Sequence, residues 1–575
     1  MKKIFLAAIT ACLALSSCED MLSPESDMVM YEEDNTLSSV NDTLYSVMGV
    51  VHLMQQVADR TNLLGEVRAD LVQVTPAATT DLQALANSLT STDNAYNRPE
   101  DFYAIVNNCN YFIQTADTGY TKYNQKVFER EMAVMHTYRA WAYLQLVTTY
   151  GEIPFYTHFL GTQASAEEVM RQPRQGIKAV CDWLIDDLQP FISTYELEYG
   201  VMNTISSRYF FIPVRVILGE LCLWAGRYQE AAQYYHDFIA DLDHPRPISR
   251  SEAYWFNNEN PTTSYVNGYT SIFSRIDNET ITIIPMENNV FDGTISHLED
   301  LYCSTSDNDY FYELTWSEAL VQLSADQAYY YEYEDPNTHA RDTVCMTTDS
   351  VKSIYPDRKR HGDLRLFTLV NQSSVGTGTK YNDTYQTIRK HSNENGFVTL
   401  YRLATIYLHY AEALNRAGFP AAAFAILKYG LCDDNTKRPE GDVIPAYERS
   451  NAGTLFAFRN SVFTKNNTWG IHSRGCGDSF ANPEYMLPMP ANALASAADT
   501  IAFQQPLVED YIVNELALET CFEGQRFYDL MRVALRRNDP AYLANPIAQR
   551  IDPQHPDEEL RARLMDQKNW YLPLK

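Results

Sequence analysis

The sequence predicts a mainly α protein in which tetratricopeptide-like helical hairpins form a scaffold, with large irregular loop and short-strand insertions between them. Two observations carry this. First, Gly219…Gly226…Ala231…Tyr235 and Ala411…Gly418…Ala423…Leu427 share the same steps of seven, five and four residues. A small residue in the first helix lets a second helix approach, glycine ends the first helix, and alanine with a bulky residue packs the second helix back. That is the spacing of a tetratricopeptide hairpin. The two copies lie much further apart than the ~34 residues of a tandem array, so insertions must separate the pairs. Second, apolar residues recur at helical spacing before residue 241 and after 396, whereas 242–395 and 432–505 are punctuated by Pro, Gly, Asn and Asp.

Taken in order, the chain opens with a basic pair, Lys2-Lys3, an apolar run from Ile4 to Leu15, and Ser16-Ser17-Cys18. Residues 1–17 have the layout of a secretory signal. The apolar run is too short to span a bilayer. A cysteine stands where an Ala-x-Ala site would, so the junction resembles a lipobox. Cys18 then becomes the lipidated first residue, and acyl chains alone hold the protein to the membrane. The alternative is an ordinary cleaved signal with an incidental cysteine. Glu19-Asp20 resembles the surface-export signal of Bacteroidetes lipoproteins. Residues 18–36 read as a lipid-anchored tether, and 37–575 as a single domain. Its scaffold occupies about 37–241, 396–431 and 506–575, and loop-rich ligand-binding insertions fill about 242–395 and 432–505.

Helices are expected over Leu37–Arg60, Asp101–Gln114, Gln125–Tyr150, Gln175–Leu188 and Glu509–Arg537. The third stops at Gly151 with Pro154 beyond. Thr280–Ile284 is a β-prone run.

Composition narrows the function classes. The 575 residues carry a formal charge of −29, more negative still once Lys2 and Lys3 leave with the signal. A chain this acidic repels phosphate backbones, so nucleic-acid binding is not expected. Of the ten cysteines, at 12, 18, 109, 181, 222, 303, 345, 432, 476 and 521, no two form a Cys-x-x-Cys pair. Cys109, Cys222 and Cys521 sit in apolar helical settings, where cysteine acts as a small hydrophobe. Forty Tyr, 25 Phe and 7 Trp suit surfaces that are apolar on the face and wet at the edge, of the kind that hold sugars or peptides.

Glu515, Glu519 and Glu523 fall on one helix face, followed by Arg526, Asp529 and Arg532. A carboxylate pair can serve a hydrolase, but acids early and bases late on a helix, with ion pairs at helical spacing, give a structural account. Arg139, Arg402 and Glu412 lie inside apolar helices and read as internal ion-pair partners. Gly470-Ile-His472-Ser-Arg474-Gly-Cys476-Gly477 reads as a glycine-rich loop at a binding or docking surface. No nucleophile elbow, catalytic triad or metal-ligand set is complete, so no catalytic residue, metal ligand or cofactor is assigned. Asp433, Asp434 and Asn435 leave a structural calcium ion open, with its site unplaced.

Together these segments resemble the SusD/RagB family of outer-membrane lipoproteins. Glu131–Pro154, Leu400–Gly418, Glu515–Arg532 and the closing Tyr571-Leu572-Pro573 are similar to family stretches, in family order, and with the lipobox they span nearly the whole chain. The resemblance implies four tetratricopeptide-like pairs, no catalysis, and a location facing the cell surface. It implies capture of an oligosaccharide and its delivery to a SusC-like TonB-dependent β-barrel. A RagB-like peptide-binding lipoprotein of a peptide-uptake system is the alternative. Pro99 departs from the pattern, since family members often carry Trp there, and Tyr96 is the nearest substitute. For capture, two or three aromatics with a few polar side chains suffice. The candidates are Trp255, Tyr302, Tyr310 and Trp316 from the insertion, and Arg68, Asp70 and Tyr96 from the N-terminal side.

Overall fold

The computed structural model describes residues 40–574 apart from 249–252, 256–264, 288–292, 304–311, 331, 335–337, 340, 344–361, 375–383, 392–395, 432–442, 464–468, 479, 481 and 493–495. For 40–45, 253–255, 265–267, 332–334, 341–343, 371–374 and 384–387 it describes backbone alone. Cys18, the tether, Tyr310 and the Asp433–Asn435 segment lie outside the described residues.

The architecture is carried by helices α1 (Val40–Gln55), α2 (Ala58–Glu66), α3 (Pro99–Thr115), α4 (Glu129–Tyr150), α5 (Ile177–Leu188), α6 (Val214–Ala225) and α7 (Tyr228–Ile239). After the first insertion come α8 (Leu364–Leu369), α9 (Leu403–Arg416), α10 (Pro420–Lys428), α11 (Ala497–Thr520), α12 (Arg526–Arg537), α13 (Ala541–Ala548) and α14 (Glu558–Leu564). Neighbours pack in series, α3 on α4, α4 on α5, α5 on α6 and α6 on α7, and α7 meets α9 across the insertion. Helix α9 packs on α10 and α11, and α12 on α13. The fold is mainly α and built of helical hairpins.

Both hairpins read from the spacing are present. A β-carbon on Gly219 would lie 2.4 Å from the Tyr235 ring, and Gly226 ends α6 at φ +78°. Glycine is thus needed in α6 for the ring of α7 to close the hairpin. Tyr235 then donates to Glu220 at 2.8 Å, and His409 of the second hairpin meets the same carboxylate oxygen at 2.7 Å. Burial alone would strip His409 of its proton, but the charge and hydrogen bond of Glu220, with Asp529 at 3.6 Å from the other ring nitrogen, raise its pKa to about 9. Beside it, Glu412 accepts from Arg532 at 2.6 and 2.9 Å and from Arg536 at 3.0 Å. One buried chain of charges therefore ties α6, α7, α9 and α12.

Several boundaries differ from the sequence expectation for local reasons. The helix expected over 37–60 is two, α1 and α2, with a break at Gln56–Val57. Gln125–Lys126 pairs with Thr121–Lys122 in a hairpin before α4 begins. The expected 509–537 helix breaks at Phe522 and Gly524, both at positive φ, and α11 starts earlier, where Ser496 and Asp499 form a capping box. Pro99 opens α3 at a first-turn position, where its missing N–H costs nothing.

The first insertion contributes short strands and short helices. Strand β1 (Val72–Val74) pairs antiparallel with β3 (Leu314–Trp316), and β2 (Thr280–Pro285) with β4 (Phe397–Arg402), so the insertion is hydrogen-bonded to the scaffold at two places. Every sheet among the described residues has two strands. One contiguous apolar core runs from Val47 to Leu572, and a second cluster gathers around Phe527, Leu543 and Trp570. No helix of the described residues is long and apolar enough to cross a membrane.

Candidate functional site

The glutamates that could suggest catalysis are placed in the core. Glu519 takes Arg365, Arg402 and Arg474, each at 2.8 Å. Glu515 pairs with Arg365 at 2.6 Å and with His472 at 2.9 Å, and Glu523 with Arg402 at 2.6 Å. Burial pushes the Glu519 carboxyl up, but Arg474, Arg402, Arg365 and Lys390 outweigh it and hold it well below the usual range. Glu515 and Glu523 are likewise held low by their basic partners against burial. None is poised to give or take a proton near neutrality. The ion-pair reading stands, with one correction: the partners of these three come from α8, from Lys390, from β4 and from residues 472–474 instead of the next turn of their own helix.

The segment Gly470–Gly477 also needs correcting. It is not a surface loop but threads the core. Arg474 is 3% exposed and bound to Glu279 and Glu519, and His472 stacks on Tyr485 with ring centroids 3.8 Å apart. A β-carbon on Gly475 would collide with the Asp363 carboxylate. The glycines serve close packing there, a use that composition does not distinguish from a flexible loop. Arg139 pairs with Asp187 at 2.7 Å and Arg402 and Glu412 are paired as described, all internal as read from sequence.

The open site lies at the other side of α1 and α2. A cleft of about 540 Å³ is lined by Gln55 and Gln56 at the end of α1, by Asp59, Arg60 and Leu63 of α2, by Ala95-Tyr96, and by Glu287, Gly293-Thr294-Ile295, His297 and Leu301 of the insertion. Tyr96 is presented by a locally braced turn. Its N–H donates to Asn94 Oδ1 at 2.9 Å, Asn94 donates to the Asp81 carbonyl at 2.9 Å, and Ala95 N–H donates to the Asp81 carboxylate at 3.1 Å. Asp59 accepts from the Ser296 hydroxyl and from the His297 N–H, both at 2.6 Å. Burial pushes the Asp59 carboxyl above its ordinary value, and these donors oppose it. Arg60 is held by Asp101 at 2.8 Å and lies over the Phe102 ring. The cleft thus offers a ring and the side chains of Leu63, Ile295 and Leu301 beside amide, carboxylate and imidazole groups. Such a surface takes a hydroxylated ring by its face and its edge at once.

Of the five candidate ligand residues whose side chains are described, Tyr96 alone lines this cleft. Asp70 is a core residue, bidentate to Arg526 at 2.7 and 2.8 Å. Tyr302 is buried, stacked on His391 and edge-on to Phe522. Arg68 is buried over the Phe527 ring, 3.8 Å from its centroid. Trp316 sits half-buried on β3 opposite Val72. Trp255 is on a strand, Ala253–Trp255, of which only backbone is described. Among the described side chains, then, Arg68, Asp70, Tyr302 and Trp316 do not join Tyr96 in this cleft. Gln55, Gln56, Asp59 and Arg60, which form one wall, carry no sequence signal beyond being polar residues near a helix break. Among the described residues no three His, Cys, Asp or Glu side chains are grouped to hold a metal ion.

No family model matches the sequence, and no curated protein does. Solved structures do match. A SusD superfamily protein from Bacteroides vulgatus is 13% identical, with a TM-score of 0.55 over 93% of this chain and 96% of its own. A SusD superfamily protein from Bacteroides thetaiotaomicron is 15% identical, with a TM-score of 0.53 over 86% and 89%. A SusD-like carbohydrate-binding protein from Bacteroides fragilis is 14% identical, with a TM-score of 0.51 over 87% of each chain. Along nearly its whole described length, this chain has the fold of the SusD superfamily.

Proposed function

We propose that the protein is a non-catalytic, lipid-anchored glycan-binding protein of the cell surface. It captures an oligosaccharide in the Tyr96 cleft and passes it to a SusC-like TonB-dependent transporter of the outer membrane. The observation that carries the reading is the cleft itself, a tyrosine ring facing polar groups on a fold shared with a carbohydrate-binding protein. The three acids on one helix face, Glu515, Glu519 and Glu523, are locked in ion pairs, which supports binding without turnover. Attachment through Cys18 and hand-over to a barrel rest on the signal sequence and on the family resemblance.

Isothermal titration of the chain from Glu19 onward against neutral oligosaccharides and against peptides tests this. Saturable glycan binding without hydrolysis is expected. Tyr96→Ala should weaken it about tenfold, the worth of one aromatic contact. Binding to peptides alone would move the protein to the peptide-uptake alternative. Glycan binding indifferent to Tyr96→Ala would remove the cleft from the mechanism.

A further inference from the structure

A second open space lies elsewhere. A groove of about 1050 Å³ runs between the end of α4, the loop before α5 and the C-terminal segment. Its wall is made by the last residues of the chain: Leu572 N–H donates to the Thr149 carbonyl at 2.9 Å, and Asn97 holds the Pro573 carbonyl at 2.9 Å. Gly151, at φ +77°, lets the Tyr571 ring lie against the backbone, since a β-carbon there would be 3.0 Å from it.

Two polar groups in this wall lack partners. Arg68 Nη1 and the Tyr150 hydroxyl are buried and make no hydrogen bond, although both residues line the groove. The residues are 2% and 5% exposed. Arg68 spends one nitrogen on the Trp570 carbonyl and lays its plane over Phe527. Burial lowers its pKa; the hydroxyls of Tyr528, Tyr150 and Tyr571 oppose this, that of Tyr528 through a hydrogen bond as well, and no acid is among these leading influences. A buried guanidinium without a counter-charge is costly, and among the described residues most other buried cations pair with an acid, while Lys428 and Arg550 are held by backbone carbonyls. Arg174 and Lys568 line the same groove and make no ion pair among the described residues; Glu152 is the one acid in it. In a chain of charge −29, this is a locally positive groove with an unsatisfied cation in its wall.

We infer that the groove is a second ligand site, built to hold a carboxylate-bearing saccharide. The carboxylate accepts from Arg68 Nη1 and from the Tyr150 hydroxyl, one donor for each oxygen. The Tyr571 ring with Leu535 gives the sugar a face to lie on, and Arg174 with Lys568 raises the local concentration of anions. The inference is independent of the Tyr96 cleft.

Titration with trigalacturonic acid, its methyl ester and inorganic phosphate, in parallel, tests it. The acid should bind saturably and more weakly as salt is added, and the ester should not bind. Tyr150→Phe, which removes only the hydroxyl, and Arg174→Ala, at an exposed position, should each weaken the acid about tenfold. Tyr96→Ala should leave it unchanged. Arg68→Met should abolish binding; if that variant does not fold, Tyr150→Phe carries the test. Equal binding of acid and ester, indifference to both Tyr150→Phe and Arg174→Ala, loss through Tyr96→Ala, or absence of binding would each overturn the inference. Phosphate bound in place of the sugar acid would overturn it too, assigning the groove to inorganic anions.

Discussion

Glu519→Gln is expected to lower the unfolding free energy by about 3–5 kcal/mol, the cost of removing one partner from a buried ion cluster. The carboxylate is the shared counter-charge of Arg365, Arg402 and Arg474. Glutamine fits the space but returns no charge, so three guanidiniums compete for Asp363, Glu279, Glu515 and Glu523. Glu167→Gln is the control: its pair with Arg171 is exposed and one turn apart, worth less than about 0.5 kcal/mol. The sign with pH follows from the direction of the shift. Because the folded value of Glu519 lies below the unfolded one, its contribution is complete above the ordinary glutamate range and is lost as pH falls through the folded value. The variant should therefore lose less stability than the wild type on acidification below about pH 4.5. Denaturant midpoints at pH 7 and pH 4 measure both effects, and equal midpoints for wild type and variant at pH 7 would show that the cluster does not carry the load assigned to it.

Gly65→Ala should be nearly as damaging, at about 3 kcal/mol or more. A β-carbon at Gly65 would sit 1.7 Å from the Gly524 carbonyl oxygen. Neither side can yield, because both are backbone and the contact is pinned around its edge. Asn62 donates to the Phe522 carbonyl at 2.8 Å, Gly524 N–H donates to Glu66 at 2.9 Å, and Arg526 holds Asp70. Gly49→Ala gives the opposite sign. Gly49 lies in α1 with nothing within 4 Å of its would-be β-carbon, so alanine should stabilise by up to about 1 kcal/mol through helix propensity. Thermal midpoints of the two variants should move in opposite directions; a shift of the same sign in both would refute the steric account.

The hairpins were legible in the sequence because their packing rule is local. Gly219 and Tyr235 meet within one motif, and the size contrast that spacing records is the contact itself. Buried charges were legible in kind, since Arg139, Arg402 and Glu412 interrupt apolar runs, but not in partner. Arg402 finds Glu519 more than a hundred residues away, and no periodicity reports that. The Gly470–Gly477 segment misled because glycine marks both loose loops and close approaches, and only the position of Asp363 tells which applies. Of the candidate site, Tyr96 was legible through the family resemblance. Asp59 and Arg60 became part of a wall only when the insertion brought Ser296 and His297 against α2, which no local pattern encodes.

The contacts of the C-terminal segment have a consequence for how the chain comes to be folded. Arg68 is joined to Trp570, Asp70 to Arg526, and Thr149 to Leu572, so early residues are completed by residues several hundred positions later. Loop closure over such separations is slow, and a nascent chain holding only its first hairpins still lacks the partners of α2 and of the end of α4. A polypeptide stopped before Gln567 should therefore be cleaved by protease at concentrations the full chain withstands, and resistance equal to the full chain would contradict this. Residues 567–574 act as a latch: α2 and the end of α4 reach their final packing only once that segment is in place.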